Sequence, residues 1–159
     1  MNHATRPSDL PTPDEALAVS GLVYMQKMLA GEFAGPPIAK LMNYRLFSVE
    51  PGRIVFRGSP TFEVCNPMGT VHGGWYGTLL DSAMACAVMT LVPQGSSYTT
   101  LEYKVNIIRS IPLGTEIEAI GTSQHGGRST GVANGEIRGV EDGRLYATGS
   151  TTCIVMKVA

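Results

Sequence analysis

The chain has 159 residues, of which 43% are hydrophobic and 16% are charged, and its net charge at pH 7 is −1. A chain of this length forms one domain whose core needs no metal or disulfide. Its charged fraction is low against about 25% in average globular chains, which favours a homo-oligomer. Because no cluster of Lys and Arg is present to neutralise phosphates, the sequence argues against a nucleic-acid partner.

The cysteines and the N-terminus indicate the compartment. Cys65, Cys86 and Cys153 are odd in number and widely spaced, which fits neither a disulfide framework nor a zinc site. Free thiols suit a reducing compartment. The N-terminus is polar, unlike a signal peptide, and the most apolar stretch, residues 83–92, is far shorter than the ~20 residues that span a bilayer. We therefore expect a soluble, cytoplasmic protein without membrane contact.

Residues 1–37 are predicted to form a flexible leader and an N-terminal helix, and residues 38–159 the main domain. Thr12 to Glu15 form a capping box with proline at the first helical position, so a helix is expected to begin there. Apolar residues at helical spacing continue the pattern to Leu29, and Gly31 is its expected end.

The rest of the chain is predicted to consist of β-strands and one long helix. Glu50 to Gly52 form a turn between two strand-like runs, residues 41–49 and 53–58. A helix at residues 74–91 is apolar on every face and must therefore be surrounded. Four further strands separated by glycine-containing turns are expected at residues 97–109, 115–124, 128–139 and 144–156. These elements predict an α+β fold in which an antiparallel sheet wraps around one long buried helix.

Asp81 lies in the middle of this apolar helix. An ionised carboxylate in such a place costs several kcal/mol unless it is paired or hydrogen-bonded. Asp81 therefore either faces a polar seam or a subunit interface for structural reasons, or is a reactive group kept there for function. The residue alone leaves both interpretations open.

The segment before the helix contains further candidates. Gly73 and Gly74 lie where the helix begins, and free amides at that end can stabilise an oxyanion, although a glycine pair also suits close packing against a sheet. His72 is either a general base or, as is more common, a residue that fixes the loop. Thr100, in the following strand, is of an ordinary residue type for a strand.

Helix geometry separates two of these candidates. Gly73 and Asp81 are eight residues apart, which is about 12 Å along a helix. One helix cannot easily direct both groups at a single carbonyl carbon. A second copy that runs antiparallel would bring its Asp81 beside the first copy's Gly73, so we hypothesise an active site shared between two chains.

Several segments resemble one family. Asn66 to Asp81, read as Asn-x5-His-Gly-Gly-x6-Asp, resembles the hotdog thioesterases of the phenylacetate-degradation type, which are related to the 4-hydroxybenzoyl-CoA thioesterases. Residues 99–106, 109–114 and 127–129 resemble further family segments in the same order. The similarity covers roughly residues 40–156.

The resemblance implies a hotdog fold, homodimers commonly paired into homotetramers, and hydrolysis of acyl-coenzyme A without a metal or organic cofactor. By position, Asp81 is the nucleophile or general base, and the Gly73 amide binds the thioester oxygen. Asn66 and Thr100 orient water or the carboxylate, while His72 supports the loop. The substrate-binding residues carried over in the same way are Val71, Gly74, Arg109, Arg128 and Ser129, for whose arginines ordinary solvent-exposed positions are an alternative.

The sequence departs from the family pattern in one strand. Glu102 stands where aspartate is often found, and Ile107-Ile108 stands where an aromatic residue or leucine is common. The second difference bears on the acyl pocket or a subunit contact, so the acyl group is left open.

Two other functions fit parts of the pattern. A hotdog enoyl-CoA hydratase or dehydratase needs an acid–base pair, which His72 and Asp81 resemble. However, Gly73 follows His72 where the acyl-carrier-protein dehydratases have His-Phe-Pro. A non-catalytic acyl-CoA-binding or sensing module is the second alternative, although a pure binder has no need of a buried charge at residue 81.

Overall fold

Six antiparallel strands form one sheet around a long helix in the computed structural model of the protein, which describes residues 2–158. The α-helices are α1 (Pro13–Leu17), α2 (Gly21–Ala30), α3 (Pro37–Leu41) and α4 (Gly73–Met89). The strands are β1 (Tyr44–Glu50), β2 (Arg53–Gly58), β3 (Ser96–Ile107), β4 (Ile117–Gly126), β5 (Thr130–Gly139) and β6 (Leu145–Lys157). Short 3-10 turns lie at Pro7–Asp9 and Phe62–Val64.

The sheet has the strand order β1-β2-β4-β5-β6-β3, with antiparallel neighbours throughout. The helix α4 packs against β2, β3, β4, β5 and β6. Its residues Leu79, Leu80, Ala83 and Met84 are completely buried. The core therefore lies between this helix and the sheet, and the predicted α+β fold with one central helix is confirmed.

Close contacts fix the position of α4. Gly121 of β4 lies directly against Ala83 of α4, and a Cβ atom at residue 121 would collide with the Ala83 main chain. Near the start of α4, the indole Nε1 of Trp75 donates a 2.8 Å hydrogen bond to the Met42 carbonyl. The helix is thus held both by the centre of the sheet and by the segment before β1.

The predicted N-terminal helix is present, but as two helices rather than one. Thr12 caps α1, and Gly31, with φ of 83°, ends α2, both as predicted. The continuous helix predicted between them is wrong, because Ser20 caps a second helix with its side chain. Gly21 then donates its amide to the Val92 carbonyl, so a contact with the segment after α4 sets the position of the break.

The first strand begins at Tyr44 rather than at residue 41. Pro37 instead starts the short helix α3, a position for which proline is pre-organised. Asn43 follows in a left-handed conformation with φ of 53°, and its side chain donates a 2.8 Å hydrogen bond to the Ser59 carbonyl. This turn is not visible in the strand-like alternation, so the predicted strand started too early.

The N-terminal residues contact the rest of the chain. Ala4 is buried and donates its amide to the Gly35 carbonyl at 2.9 Å, while the Gly35 amide donates to the Asn2 carbonyl at 2.7 Å. The helix α2 packs against β1 and α4. The segment predicted as a flexible leader therefore has defined contacts at its start, and the domain boundary after residue 37 stays a prediction.

Candidate active site

A bulge in β3 determines which of its side chains face α4. The register between β3 and β6 shifts between Thr100 and Glu102, which makes Leu101 the extra residue. Tyr98 and Thr100 face the helix before the bulge. After it the alternation is displaced by one residue, and the Tyr103 ring lies over a glycine of α4. The bulge therefore lets residues on both sides of it line the same helix.

Asp81 lies midway along α4 and is held in place by β3. The Thr100 hydroxyl donates a 2.9 Å hydrogen bond to Oδ1 of Asp81. The carboxylate is partly buried, and within residues 2–158 it forms no salt bridge. An oriented carboxylate without a cation retains an oxygen that can accept a proton from water or attack a carbonyl carbon.

Two neutral groups lie next to Asp81 along the seam between α4 and β3. Burial raises the pKa of Cys86 to about 12, and the Asp81 charge acts in the same direction. Burial also raises the pKa of Tyr98 well above its usual value, assisted by Cys86 and Asp81. Sequence reasoning missed both residues, although Tyr98 stands two positions before Thr100, which is the spacing of one strand face.

His72 and two glycines build the N-terminus of α4. His72 is the N-cap residue, and its Nδ1 accepts a 2.8 Å hydrogen bond from the Gly74 amide. Gly73 is exposed, and its amide donates no hydrogen bond among the residues that the structure describes. A free amide at the positive end of a 17-residue helix is a suitable donor for a developing oxyanion.

Asn66 organises the loop that leads into α4. Its Oδ1 accepts a 2.9 Å hydrogen bond from the Met68 amide, and its Nδ2 donates a 2.8 Å bond to the Thr70 hydroxyl. Its main-chain amide donates to the Thr70 carbonyl, so these bonds all lie within the loop. Val71 follows with 6% exposure, and its side chain belongs to the hydrophobic core.

One chain does not bring all the predicted catalytic residues together. Asp81 and Thr100 are in contact, but Gly73 lies eight residues earlier on the same unbroken helix, a separation of about 12 Å. Gly73 instead lies beside the Ile107 side chain, at the far end of β3 from Thr100. His72 lies one residue further from Asp81, so this pair is also too far apart to exchange a proton directly.

The residues predicted to contact coenzyme A also lie far apart within one chain. Arg109 follows the end of β3, and its Nε donates a 3.0 Å hydrogen bond to the Leu145 carbonyl. Arg128 and Ser129 lie in the turn between β4 and β5, where the Ser129 carbonyl accepts from the Val155 amide. Val155 pairs with the start of β3. The two groups therefore flank opposite ends of a strand that is roughly 40 Å long.

Residues 2–158 contain no cluster of metal-binding side chains, no disulfide and no helix that could span a membrane. No three His, Cys, Asp or Glu side chains in this range come close enough together to hold a metal ion. Its cysteines, at positions 65, 86 and 153, are free. No helix in the same range combines the length and apolar character needed to cross a membrane. The expectations of a cytoplasmic protein without a cofactor or a nucleic-acid partner stay predictions.

Comparison with known families identifies one match. A family model described as the thioesterase superfamily matches residues 68–146. This region begins in the loop before α4 and ends in β6, so it includes Gly73, Asp81 and Thr100. No curated protein matches the sequence.

Solved structures share the fold over most of the chain. A phenylacetic acid degradation-related protein from Ralstonia eutropha JMP134 is 28% identical, with a TM-score of 0.75 over 82% of this chain and 98% of that chain. A mutant of the phenylacetic acid degradation protein PaaI from Thermus thermophilus is 25% identical, with a TM-score of 0.67 over 74% and 97%. A thioesterase family protein from Silicibacter pomeroyi is 24% identical, with a TM-score of 0.75 over 84% and 98%.

Proposed function

We propose, from the premise that this chain belongs to the thioesterase superfamily and is a thiolester hydrolase, that it hydrolyses acyl- or aryl-coenzyme A to free acid and coenzyme A. The resemblance to hotdog thioesterases of the phenylacetate-degradation type is confirmed. The identity of the thioester and the roles of individual residues are the parts that we propose.

The observation that carries the proposal is the hydrogen bond between Thr100 and Asp81. It fixes one carboxylate oxygen at 2.9 Å and leaves the other to act on a substrate. The carboxylate lies on the central helix within the region that the family model matches. A carboxylate that is oriented by Thr100 and forms no salt bridge within residues 2–158 is suited to act on a substrate.

The chemistry requires only this carboxylate and an oxyanion donor. As a general base, Asp81 takes a proton from water while the water oxygen bonds to the thioester carbon. The C–S bond then breaks, and the coenzyme A thiolate leaves and receives that proton. As a nucleophile, Asp81 itself bonds to the carbon, expels the thiolate and forms an anhydride that water hydrolyses. Both routes consume one water and give one acid and one thiol.

The oxyanion donor in this proposal is the Gly73 amide of a second copy of the chain. The distance of about 12 Å along α4 prevents Gly73 and Asp81 of one chain from acting on the same carbonyl group. β3 is an edge strand that, within residues 2–158, pairs only with β6, and it exposes Leu101 and Ile107 by 60% and 50%. Such an edge favours pairing with another strand. We infer a homodimer joined at β3, with two such dimers forming a homotetramer.

The same pairing supports the proposed coenzyme A contacts. If two β3 strands pair antiparallel, Arg109 of one copy approaches the end of the strand where Arg128 and Ser129 of the other copy lie. Guanidinium groups suit the phosphates of coenzyme A. Gly74, exposed beside Gly73, leaves room for the thioester, while the buried side chain of Val71 contributes through the shape of the loop.

The test is release of free thiol from acyl- and aryl-coenzyme A esters by the wild-type protein and Asp81→Asn. The substitution retains the shape of the side chain and removes its charge, so we expect kcat to fall by about 10²–10⁴. The control is Glu118→Gln, which removes a partly buried carboxylate bound by Arg57 at 2.7 Å on another part of the sheet. This control is expected to retain near wild-type turnover.

Folding is checked on the same samples by thermal unfolding and by size-exclusion chromatography. A folded Asp81→Asn oligomer with near wild-type turnover would exclude Asp81 as the catalytic group. Tight binding of acyl-coenzyme A by the wild type, with no thiol release from any ester, would contradict the proposed reaction.

A further inference from the structure

An apolar chamber lies between the N-terminal helices and the C-terminal half of α4. Its volume is about 380 Å³. We call it the N-terminal chamber, and none of the charged side chains in residues 2–158 lines it. Its walls include Leu17, Met25 and Met28 from the N-terminal helices, and Cys86, Met89 and Tyr98 from α4 and β3.

Two residues that line the chamber, Cys86 and Tyr98, lie near the proposed catalytic carboxylate. Tyr98 lies two residues before Thr100 on the same face of β3, a distance of about 7 Å. Cys86 lies five residues after Asp81 on α4, or about 7.5 Å along the axis. The Asp81 charge also raises the pKa of both Cys86 and Tyr98, in addition to the larger effect of burial. An acyl chain whose carbonyl carbon is near Asp81 can therefore extend past these two residues into the chamber.

The chemistry of the walls selects an apolar occupant. Cys86 and Tyr98 stay protonated at physiological pH, and the remaining walls consist mainly of aliphatic and thioether side chains. A phosphate or an adenine ring would lose its hydration there without gaining charged partners. The acyl part of the substrate has the opposite character and gains from leaving water.

The volume of the chamber fits an aliphatic acyl chain better than a single aromatic ring. A cavity of about 150 Å³ is sufficient for benzene, so a single aromatic ring would leave more than half of the 380 Å³ unfilled. A methylene group occupies about as much space as a water molecule in the liquid, ~30 Å³. The chamber of about 380 Å³ therefore accommodates an aliphatic chain of up to roughly twelve carbons.

We propose that the N-terminal chamber binds the aliphatic chain of a medium-length acyl-coenzyme A, of about eight to twelve carbons. The proposal rests on the proposed thioesterase function and adds the substrate class. It also gives α1 and α2 a role, since both helices contribute residues to the wall of the chamber.

The size of the chamber is tested by measuring wild-type kcat/KM for straight-chain esters from acetyl- to palmitoyl-coenzyme A. Benzoyl- and phenylacetyl-coenzyme A are measured alongside them. We expect a rise of about fourfold per buried methylene that ends when the chain fills the chamber. A profile that does not depend on chain length, or a preference for the two aryl esters over decanoyl-coenzyme A, would overturn the proposal.

Ala16→Phe tests the location of the binding site. Ala16 lines the chamber from α1, whereas Ala18, two residues further, is exposed and does not line it. We expect Ala16→Phe to lower kcat/KM for decanoyl-coenzyme A by tenfold or more and to leave butanoyl-coenzyme A unchanged. The matched control Ala18→Phe is expected to change neither substrate. If Ala16→Phe does not fold, Ala34→Phe fills the chamber from the segment after α2.

The outcomes separate this proposal from the one on which it rests. Absence of thiol release from every ester overturns both proposals. The chamber proposal alone is overturned if thiol release requires Asp81 but Ala16→Phe changes kcat/KM for long and short chains by the same factor, or changes neither. Selective loss of the long substrates supports both.

Discussion

Thr100 is the single side chain that the structure shows holding Asp81. Its hydroxyl donates the 2.9 Å bond to Oδ1, and its backbone is fixed by pairing with Cys153 on β6. The carboxylate thus has one oriented oxygen, which limits its rotation about the last side-chain bond. A group that acts on water or on a carbonyl carbon needs such orientation, because small misplacements of a catalytic group greatly reduce its rate.

Thr100→Val is therefore expected to lower kcat about tenfold or more, since a hydrogen bond to a charged group contributes roughly 1.5–3 kcal/mol. Valine has the same shape and lacks the donor. Thr99→Val is the matched control, because Thr99 is exposed on the other face of β3. Thr100→Ser, which keeps the hydroxyl, is expected to retain most of the wild-type activity. Equal effects of Thr99→Val and Thr100→Val on thiol release would contradict this role.

Residue types and spacing predicted individual residues of the proposed site but not how they contact one another. The motif from Asn66 to Asp81 identified the helix and its carboxylate, because a charge in an apolar helix is a recognisable conflict. Tyr98 shares the strand face of Thr100, but its involvement and that of Cys86 depend on the contact between α4 and β3, which residue types and spacing do not specify. The Leu101 bulge, which brings Tyr103 onto the helix, has no signature in the sequence either, since any strand residue can be the extra one.

At the scale of elements, α2 is positioned by a glycine rather than by its helix propensity. Gly21 lies against the Met89 main chain at the end of α4, and a Cβ atom at residue 21 would collide with the Met89 carbonyl. The Gly21 amide also donates a 3.0 Å hydrogen bond to the Val92 carbonyl. This close approach joins α2 to α4 and thereby closes one side of the N-terminal chamber.

Gly21→Ala is expected to destabilise the protein by about 1–3 kcal/mol, as overpacking of a close contact does, although alanine is the better helix former. Val23→Ala is the control on the exposed side of the same helix, where a substitution changes stability by less than about 0.5 kcal/mol. Urea unfolding of the three proteins measures both effects. A Gly21→Ala variant as stable as the wild type would show that the helices separate without cost.

The elements of the sheet were predicted well because glycine-containing turns separate regular alternating runs. The positions of β2 to β6 therefore differ from the prediction by only a few residues. The N-terminal part was predicted less well, since its breaks at Ser20 and Asn43 depend on contacts with the segment after α4 and with the segment after β2. Such tertiary contacts override local helical and strand-like patterns.

At the scale of the whole molecule, one dimer arrangement would bring together two pairs of residues that lie far apart within one chain. Gly73 is distant from Asp81, and Arg109 is distant from Arg128, in both cases because the members lie toward opposite ends of β3. In the proposed homodimer, a two-fold axis across the free edge of β3 would reverse the direction of the strand in the second copy. The axis would therefore place the end of one copy's β3 beside the start of the other's.

The proposed shared site predicts complementation between two inactive variants. Gly73→Pro removes the proposed oxyanion donor at a position that accepts proline, because it is the first residue of α4 and His72 before it has φ −66° and ψ 140°. We expect it to lower kcat by about 10²–10³. Gly73→Ala retains the amide, and its Cβ would meet only the Ile107 side chain at 3.5 Å, so this control should remain active.

A heterodimer of Gly73→Pro and Asp81→Asn chains has one site that carries both substitutions and one that carries neither. Co-expression with two different tags isolates this species, and thiol release measures its activity. We expect about half of the wild-type turnover per dimer, because one of the two symmetry-related sites is intact. If each site belonged to a single chain, every site in the heterodimer would carry one lesion. Its activity would then be no greater than the average of the two parent variants, and the shared site would be excluded.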